Sequence, residues 1–156
     1  MMNMYIFLTK EGFSMNIRIV YCSKTGHSKK IAEGISKALS VPAENMSKLT
    51  GPVKADLLFL VTGIYGGKCD PAVLTLIQSL TPESIGQVAL VTSSMSKGTQ
   101  TEIKEALTAQ GIPIYPEEYR CKGSFLFFSL GHPSTDEVQE AVEFSLRAAK
   151  SAEAAR

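Results

Sequence analysis

The stretch from Ile17 to Leu39 constrains this chain most, because it must pass from a buried strand to an amphipathic helix within six residues. Ile17, Ile19, Val20 and Tyr21 supply β-branched and aromatic residues over a short run, the pattern of a strand. Ile31, Ile35 and Leu39 recur every four residues, so a helix there lays one apolar stripe on a sheet. Between the two lie Ser23, Lys24, Thr25, Gly26, His27 and Ser28. Gly26 can take a positive φ without steric cost. A helix that starts this abruptly leaves its first backbone N–H groups without intrahelical partners. Those groups, the helix dipole and the hydroxyls of Ser23, Thr25 and Ser28 together make a cradle for a phosphate. The plainer reading is an ordinary strand-to-helix turn with a hydroxyl cap, which needs only one such side chain.

Two familiar phosphate loops are absent from this stretch: it has neither Gly-x-x-x-x-Gly-Lys-Ser/Thr nor Gly-x-Gly-x-x-Gly. What it resembles is the FMN-phosphate loop of the flavodoxin family. That loop runs apolar-aromatic-x-Ser/Thr-x-Thr-Gly-x-Thr, followed by a helical alanine and an aliphatic residue. Val20-Tyr21-Cys22-Ser23-Lys24-Thr25-Gly26-His27-Ser28, then Ala32 and Ile35, match it, with Ser28 keeping the hydroxyl where threonine is usual. The resemblance implies that Ser23 to Ser28 hold the phosphate of FMN.

The remainder alternates strand and helix. Ala43 to Met46 reads as a short strand, and Ser47 to Asp56, with Gly51-Pro52, as a crossover of a turn or two. Leu57 to Val61 is a continuous apolar run, as expected of a parallel strand covered on both faces. Asp70-Pro71 opens a helix whose buried stripe is Val73, Ile77 and Leu80. Val88 to Val91 is a fourth strand, and Thr99 with Glu102 predicts a capping box for a helix carrying Ile103 and Leu107. A fifth strand falls between Ile112 and Phe128, interrupted near Pro116. Ser134 and Glu137 predict a second capping box, opening a last helix with Val138, Ala141, Val142 and Ala149 inward. This alternation predicts an α/β fold, a doubly wound five-stranded parallel sheet. The resemblance adds the flavodoxin-like strand order 2-1-3-4-5, with the cofactor where the order reverses, between strands 1 and 3.

That switch point directs attention to the loops after strands 3 and 4. The first is Thr62-Gly63-Ile64-Tyr65-Gly66-Gly67-Lys68-Cys69-Asp70, whose glycines let backbone approach a flat ring and whose Tyr65 offers a stacking face. The second includes Ser93, Ser94, Met95, Ser96, Lys97 and Gly98, small and polar as suits a wall of the same crevice. By the resemblance, Gly63–Cys69 and Ser93–Gly98 clasp the isoalloxazine. Met95 is the largest apolar side chain in the second loop, where electron-carrying flavodoxins usually place an aromatic residue.

At 156 residues, 44% hydrophobic and 20% charged, the chain suffices for one domain with a full core, and Ile17 to Ala149 carries the resemblance. Met15 directly precedes the first strand, so residues 1–14 read as an upstream extension and 15–156 as the domain; intact mass of native protein checks this. A net charge of +1 gives no global field of the kind that draws nucleic acid or a membrane surface, and no apolar run reaches the roughly 20 residues of a spanning helix. Cys22, Cys69 and Cys121 share no metal-type spacing and read as reduced thiols of a cytoplasmic protein. Cys22 and Cys121 read as small core residues; Cys69 lies beside the ring loop, where Lys68 would favour its thiolate, but a plain loop thiol is the better reading than a redox participant. His27 reads as exposed beside the anion, and His132-Pro133 as a turn. Lys24, Lys29, Lys30, Lys68 and Lys97 gather on the candidate loops, a basic rim suited to redox partner proteins with acidic docking faces. The expected function is electron transfer through FMN between a reductase and a partner enzyme. An FMN-dependent NAD(P)H:quinone oxidoreductase and a non-redox interaction domain of the same fold remain the alternatives.

Overall fold

A computed structural model describes residues 13–65, 68–93, 100–121 and 135–156. Along the chain run β1 (Ile17–Cys22), α1 (His27–Leu39), β2 (Ala43–Asn45), a 3-10 turn (Met46–Lys48), β3 (Ala55–Tyr65), β4 (Lys68–Cys69), α2 (Pro71–Gln78), β5 (Ile85–Ser93), α3 (Thr101–Ala109), β6 (Tyr119–Cys121) and α4 (Thr135–Ala154). The sheet order is β2-β1-β3-β5-β6, the order expected, with β4 paired antiparallel to β3 off this path.

Every strand along the main path is parallel to its neighbours. Alternate residues therefore feed two separate cores, one on each side of the sheet. Ile17, Ile19, Leu57, Phe59 and Val91 face α1 and α4, where they meet Ile31, Ile35, Leu39 and Phe144. Val20, Leu58, Leu60, Val88 and Leu90 face α2 and α3, where they meet Val73, Ile77, Ile103 and Leu107. Double coverage explains why Leu57–Val61 reads as an unbroken apolar run. Phe13 and Met15, just ahead of β1, are buried in the first of these cores. Gly34 lets α1 and α4 approach closely, since a Cβ at that position would overlap Val138 Cγ1.

The sequence signals for element ends hold where they are local. Asp70 Oδ1 accepts from the Ala72 N–H at 2.9 Å, capping α2 with Pro71 in its first turn. The crossover between β2 and β3 is the expected short turn, here 3-10 and capped by Asn45. Ile114 bridges to Val88 before Pro116, and β6 resumes at Tyr119.

Three expectations are corrected. α3 begins at Thr101 behind Gln100, so Glu102 cannot occupy the third helical position that a capping box with Thr99 needs; its carboxylate goes to Cys69 instead. Thr99, like Ser134 of the second expected box, lies outside the described residues. The loop after β3 is shorter than expected, because the strand continues to Tyr65 and doubles back as β4. In α4 the inward stripe is Ala141, Phe144, Ser145, Ala148 and Ala149, with Val138 and Val142 only half-buried.

Candidate functional site at the switch point

The C-terminal ends of β1, β3 and β5 lie level: Cys22 pairs with Thr62, and Thr62 with Thr92. The turn from β1 into α1 is shaped by two residues. Gly26 adopts φ 91° and ψ −5°, a left-handed conformation that side chains with a Cβ rarely take. Ser23 Oγ accepts from the Gly26 N–H at 2.9 Å, folding the loop back on itself. The first helical bond is Lys30 N–H to Gly26 O, at 3.1 Å. The N–H groups before Lys30 thus point out of the helix start, and no acidic residue stands in the first turn to occupy them.

Ser28 is 1% exposed, and its Oγ finds no hydrogen-bond partner among the described residues. A buried hydroxyl left unpaired costs on the order of 1–3 kcal/mol, and this one is able to donate to a ligand atom. A phosphate monoester fits this chemistry: it accepts from the hydroxyl and from the open N–H groups, and its charge complements the helix dipole. Thr25 is exposed, and its Oγ1 meets His27 Nδ1 at 2.9 Å. His27 is buried rather than exposed, a correction: as the first residue of α1 it turns inward, at 8% exposure. Lys24 is exposed, its Nζ 3.9 Å from Asp70 Oδ2.

The second candidate stretch is a hairpin. Gly63 pairs with Ser93, Ile64 with Cys69, and Tyr65 with Lys68. Ile64 is buried in the α2–α3 core, so it belongs to the support of the hairpin. Gly66 and Gly67 lie outside the described residues, as does the side chain of Tyr65. Cys69 is 7% exposed and donates to Glu102 Oε1 twice, from its N–H at 3.1 Å and its Sγ–H at 3.2 Å. Burial first, then the Glu102 hydrogen bond and charge, push the Cys69 thiol up to about 12. Cys69 is thus held as a thiol, hydrogen-bonded to Glu102. The two Cys69 donors, N–H first, and the Lys68 charge hold the Glu102 carboxyl below its ordinary range.

In the third stretch Ser93 is buried at the end of β5, and Ser94, Met95, Ser96, Lys97 and Gly98 lie outside the described residues. Just beyond them Gln100 is 2% exposed and its amide meets the Thr92 hydroxyl. With the amide oxygen turned to Thr92, its nitrogen reaches Glu118 Oε1 at 3.0 Å.

No family model and no curated protein matches the chain. Solved structures do. Flavodoxin 2 from Bacillus cereus superposes with a TM-score of 0.64 at 17% identity, covering 86% of this chain and 98% of that one. The rubredoxin oxygen:oxidoreductase of Desulfovibrio gigas gives 0.65 at 13% identity over 88% of this chain, which spans only 36% of that longer protein. An NAD(P)H:quinone oxidoreductase from Methanothermobacter marburgensis gives 0.56 at 11% identity, over 84% of this chain and 94% of its own. The fold is flavodoxin-like.

In a flavodoxin-like sheet the order reverses between β1 and β3, and the turn at Ser23–Ser28 and the 63–69 hairpin stand on either side of that point. A separate cavity of about 590 Å³ opens between the end of β2 and α2, walled by Met46, Leu49 and Leu76 and sharing Cys22 and Ser23 with the first turn. The Cys22 thiol there is half-exposed, and burial followed by Asp70 raises its pKa. Cys121 is buried, and burial with the Glu137 charge pushes it up to about 12. Glu102 and Gln100 are the polar residues that local patterns missed: both act across the fold, with partners 33 and 8 positions away. Lys29, Lys30 and Lys68 are exposed, while Lys97 lies outside the described residues. No helix among the described residues is long and apolar enough to cross a membrane.

Proposed function

We propose that this chain binds FMN and carries electrons between a reductase and a partner enzyme. The observation that carries the reading is the buried Ser28 Oγ, without a hydrogen-bond partner among the described residues, at the open start of α1 and the switch point of a flavodoxin-like sheet. Ser28 donates to the phosphate, joined by Ser23, whose oxygen already accepts from Gly26 while its O–H stays able to donate. Thr25, Gly26 and His27 close the turn around it. Gly63–Cys69 and Ser93–Gly98 wall the ring, and FMN when bound supplies the one- and two-electron chemistry. The visible spectrum of purified protein after FMN addition tests this: a bound, shifted flavin band is expected, and its absence would leave the non-redox interaction domain.

A second reading, an FMN-dependent NAD(P)H:quinone oxidoreductase, draws on the Methanothermobacter neighbour and on Met95 in place of an aromatic residue. Oxidation of NADH or NADPH by the pure protein with a quinone decides for it. We place the chain in the cytoplasm, on the reading of its cysteines as reduced thiols.

Tyr65 is assigned to the ring. Tyr65→Ala should weaken FMN and riboflavin alike by about fivefold, the loss of roughly 1 kcal/mol of aromatic contact. It should also relieve quenching of flavin emission. Unchanged affinity and emission would move the stacking elsewhere.

The exposed lysines Lys24, Lys29, Lys30 and Lys68 favour a partner with an acidic docking face. Stopped-flow reduction by such a partner should slow several-fold between about 50 and 500 mM salt, because steering between opposite charges is screened. Rates that rise with salt would mean docking of like charges.

A further inference from the structure

Resting on the FMN reading, we propose that Glu102 is a positioning residue for the flavin ring, tying the β3–β4 hairpin to the first turn of α3. β4 has two residues and only two register pairs with β3, Ile64–Cys69 and Tyr65–Lys68. A pairing that short holds itself weakly. Beyond the packing of Ile64 and Cys69, it is tied by Glu102, whose Oε1 takes both the N–H and the Sγ–H of Cys69 across 33 positions of chain.

The same helix start also reaches the end of β5, from which the other candidate ring segment continues. Gln100, immediately before α3, is buried and meets the Thr92 hydroxyl at the end of β5. With its amide oxygen turned to Thr92, its nitrogen reaches Glu118, which Lys104 pairs at 2.7 Å. The hairpin and the C-terminal end of β5 thus converge on residues 100–102. A ring held between two segments is bound well only if their separation is set beforehand. Glu102 sets it on the hairpin side, and Gln100 on the other.

A plainer account exists: an acidic residue in the first turn of a helix complements the dipole whatever it touches. Two substitutions separate charge from reach. Glu102→Gln keeps the length of the side chain and an oxygen for both Cys69 donors but loses the charge. Glu102→Asp keeps the charge at the helix start and withdraws the oxygen from Cys69 by one methylene. The experiment titrates wild type and both variants with FMN and with riboflavin, and follows alkylation of Cys69 by iodoacetamide in flavin-free protein.

Positioning predicts that Glu102→Asp weakens FMN and riboflavin by the same factor, about tenfold, the scale of a lost hydrogen bond to a charged group. It predicts that Glu102→Gln stays within about twofold of wild type on both flavins. Cys69 alkylates faster in Glu102→Asp than in wild type, because the hairpin and its thiol are released together. Glu102→Gln weakened with Glu102→Asp intact would assign the effect to charge and overturn the proposal. So would a loss confined to FMN, which would place the effect at the phosphate, or unchanged Cys69 alkylation in Glu102→Asp. Wild type that binds both flavins while both variants match it overturns the positioning role alone. Wild type that binds neither flavin overturns the FMN reading itself and this inference with it.

Discussion

Ser28→Ala should lower FMN affinity by about tenfold to a hundredfold, leave riboflavin affinity unchanged, and leave the flavin-free protein as stable as before or slightly more so. The first part follows from the loss of a hydrogen bond to a charged acceptor, about 1.5–3 kcal/mol. The second follows from chemistry, since riboflavin has no phosphate for Ser28 to meet. The third is the discriminating part. Ser28 Oγ is buried and makes no hydrogen bond among the described residues, so in the flavin-free protein it is a desolvated polar atom. Removing such an atom relieves a cost. A residue retained for structure would behave oppositely, with stability falling and ligand affinity following it. Isothermal titration with both flavins and a denaturation midpoint on the flavin-free protein give all three readings. Riboflavin weakened equally with FMN would move Ser28 away from the phosphate. Thr25→Ala should cost FMN less, because Thr25 Oγ1 already has His27 Nδ1 as a partner and the side chain is exposed.

The parts of this site that the sequence makes legible are those built by neighbours. The turn at Ser23–Ser28 is six consecutive residues between two periodic segments, so hydroxyl spacing and one glycine suffice to locate it. The Asp70-Pro71 start of α2 is equally local. The hairpin is different. A two-residue strand carries no alternation to recognise, and Gly66-Gly67 reads as a flexible loop as readily as a turn. Glu102 was hidden for a related reason: its spacing from Thr99 imitates a cap, while its true partner lies on another element altogether. His27 illustrates the limit from the other side. Its place in a polar loop suggests exposure, but as the first residue of α1 its direction is set by the helix. For Glu102 a long-range contact overrode a plausible local rule, and for His27 the geometry of the helix did.

Phe144→Ala should cost about 3–5 kcal/mol of stability. In sequence the inward stripe of the last helix falls on Val138, Ala141, Val142 and Ala149, without Phe144. Val138 and Val142 are in fact half-buried, and the stripe is centred one position round, on Phe144 and Ala148. The Phe144 side chain is 1% exposed. Its ring lies 5.8 Å from that of Tyr115 at an interplanar angle of 67°, edge to face, and 6.2 Å from that of Tyr119 at 39°. Both tyrosines lie in the β5–β6 connection or in β6 itself, so Phe144 is the plug that seats α4 on the edge of the sheet. Tyr119 is fixed from its other end, where its hydroxyl lies 3.0 Å from Glu137 O and 3.0 Å from Glu140 Oε1. The Tyr119 ring therefore cannot follow the missing side chain inward without giving up those contacts, and a cavity remains. That places the cost towards the upper part of the range for an aromatic deletion, where poor collapse adds to lost transfer energy. Chemical denaturation should show a lower midpoint with an unchanged slope, the signature of lost stability without a changed unfolded state. Phe144→Leu should recover more than half of the loss by refilling most of the volume. A loss under about 1 kcal/mol in Phe144→Ala would mean that the edge of the sheet closes over the gap, and that the tyrosine contacts with α4 are not what holds it in place.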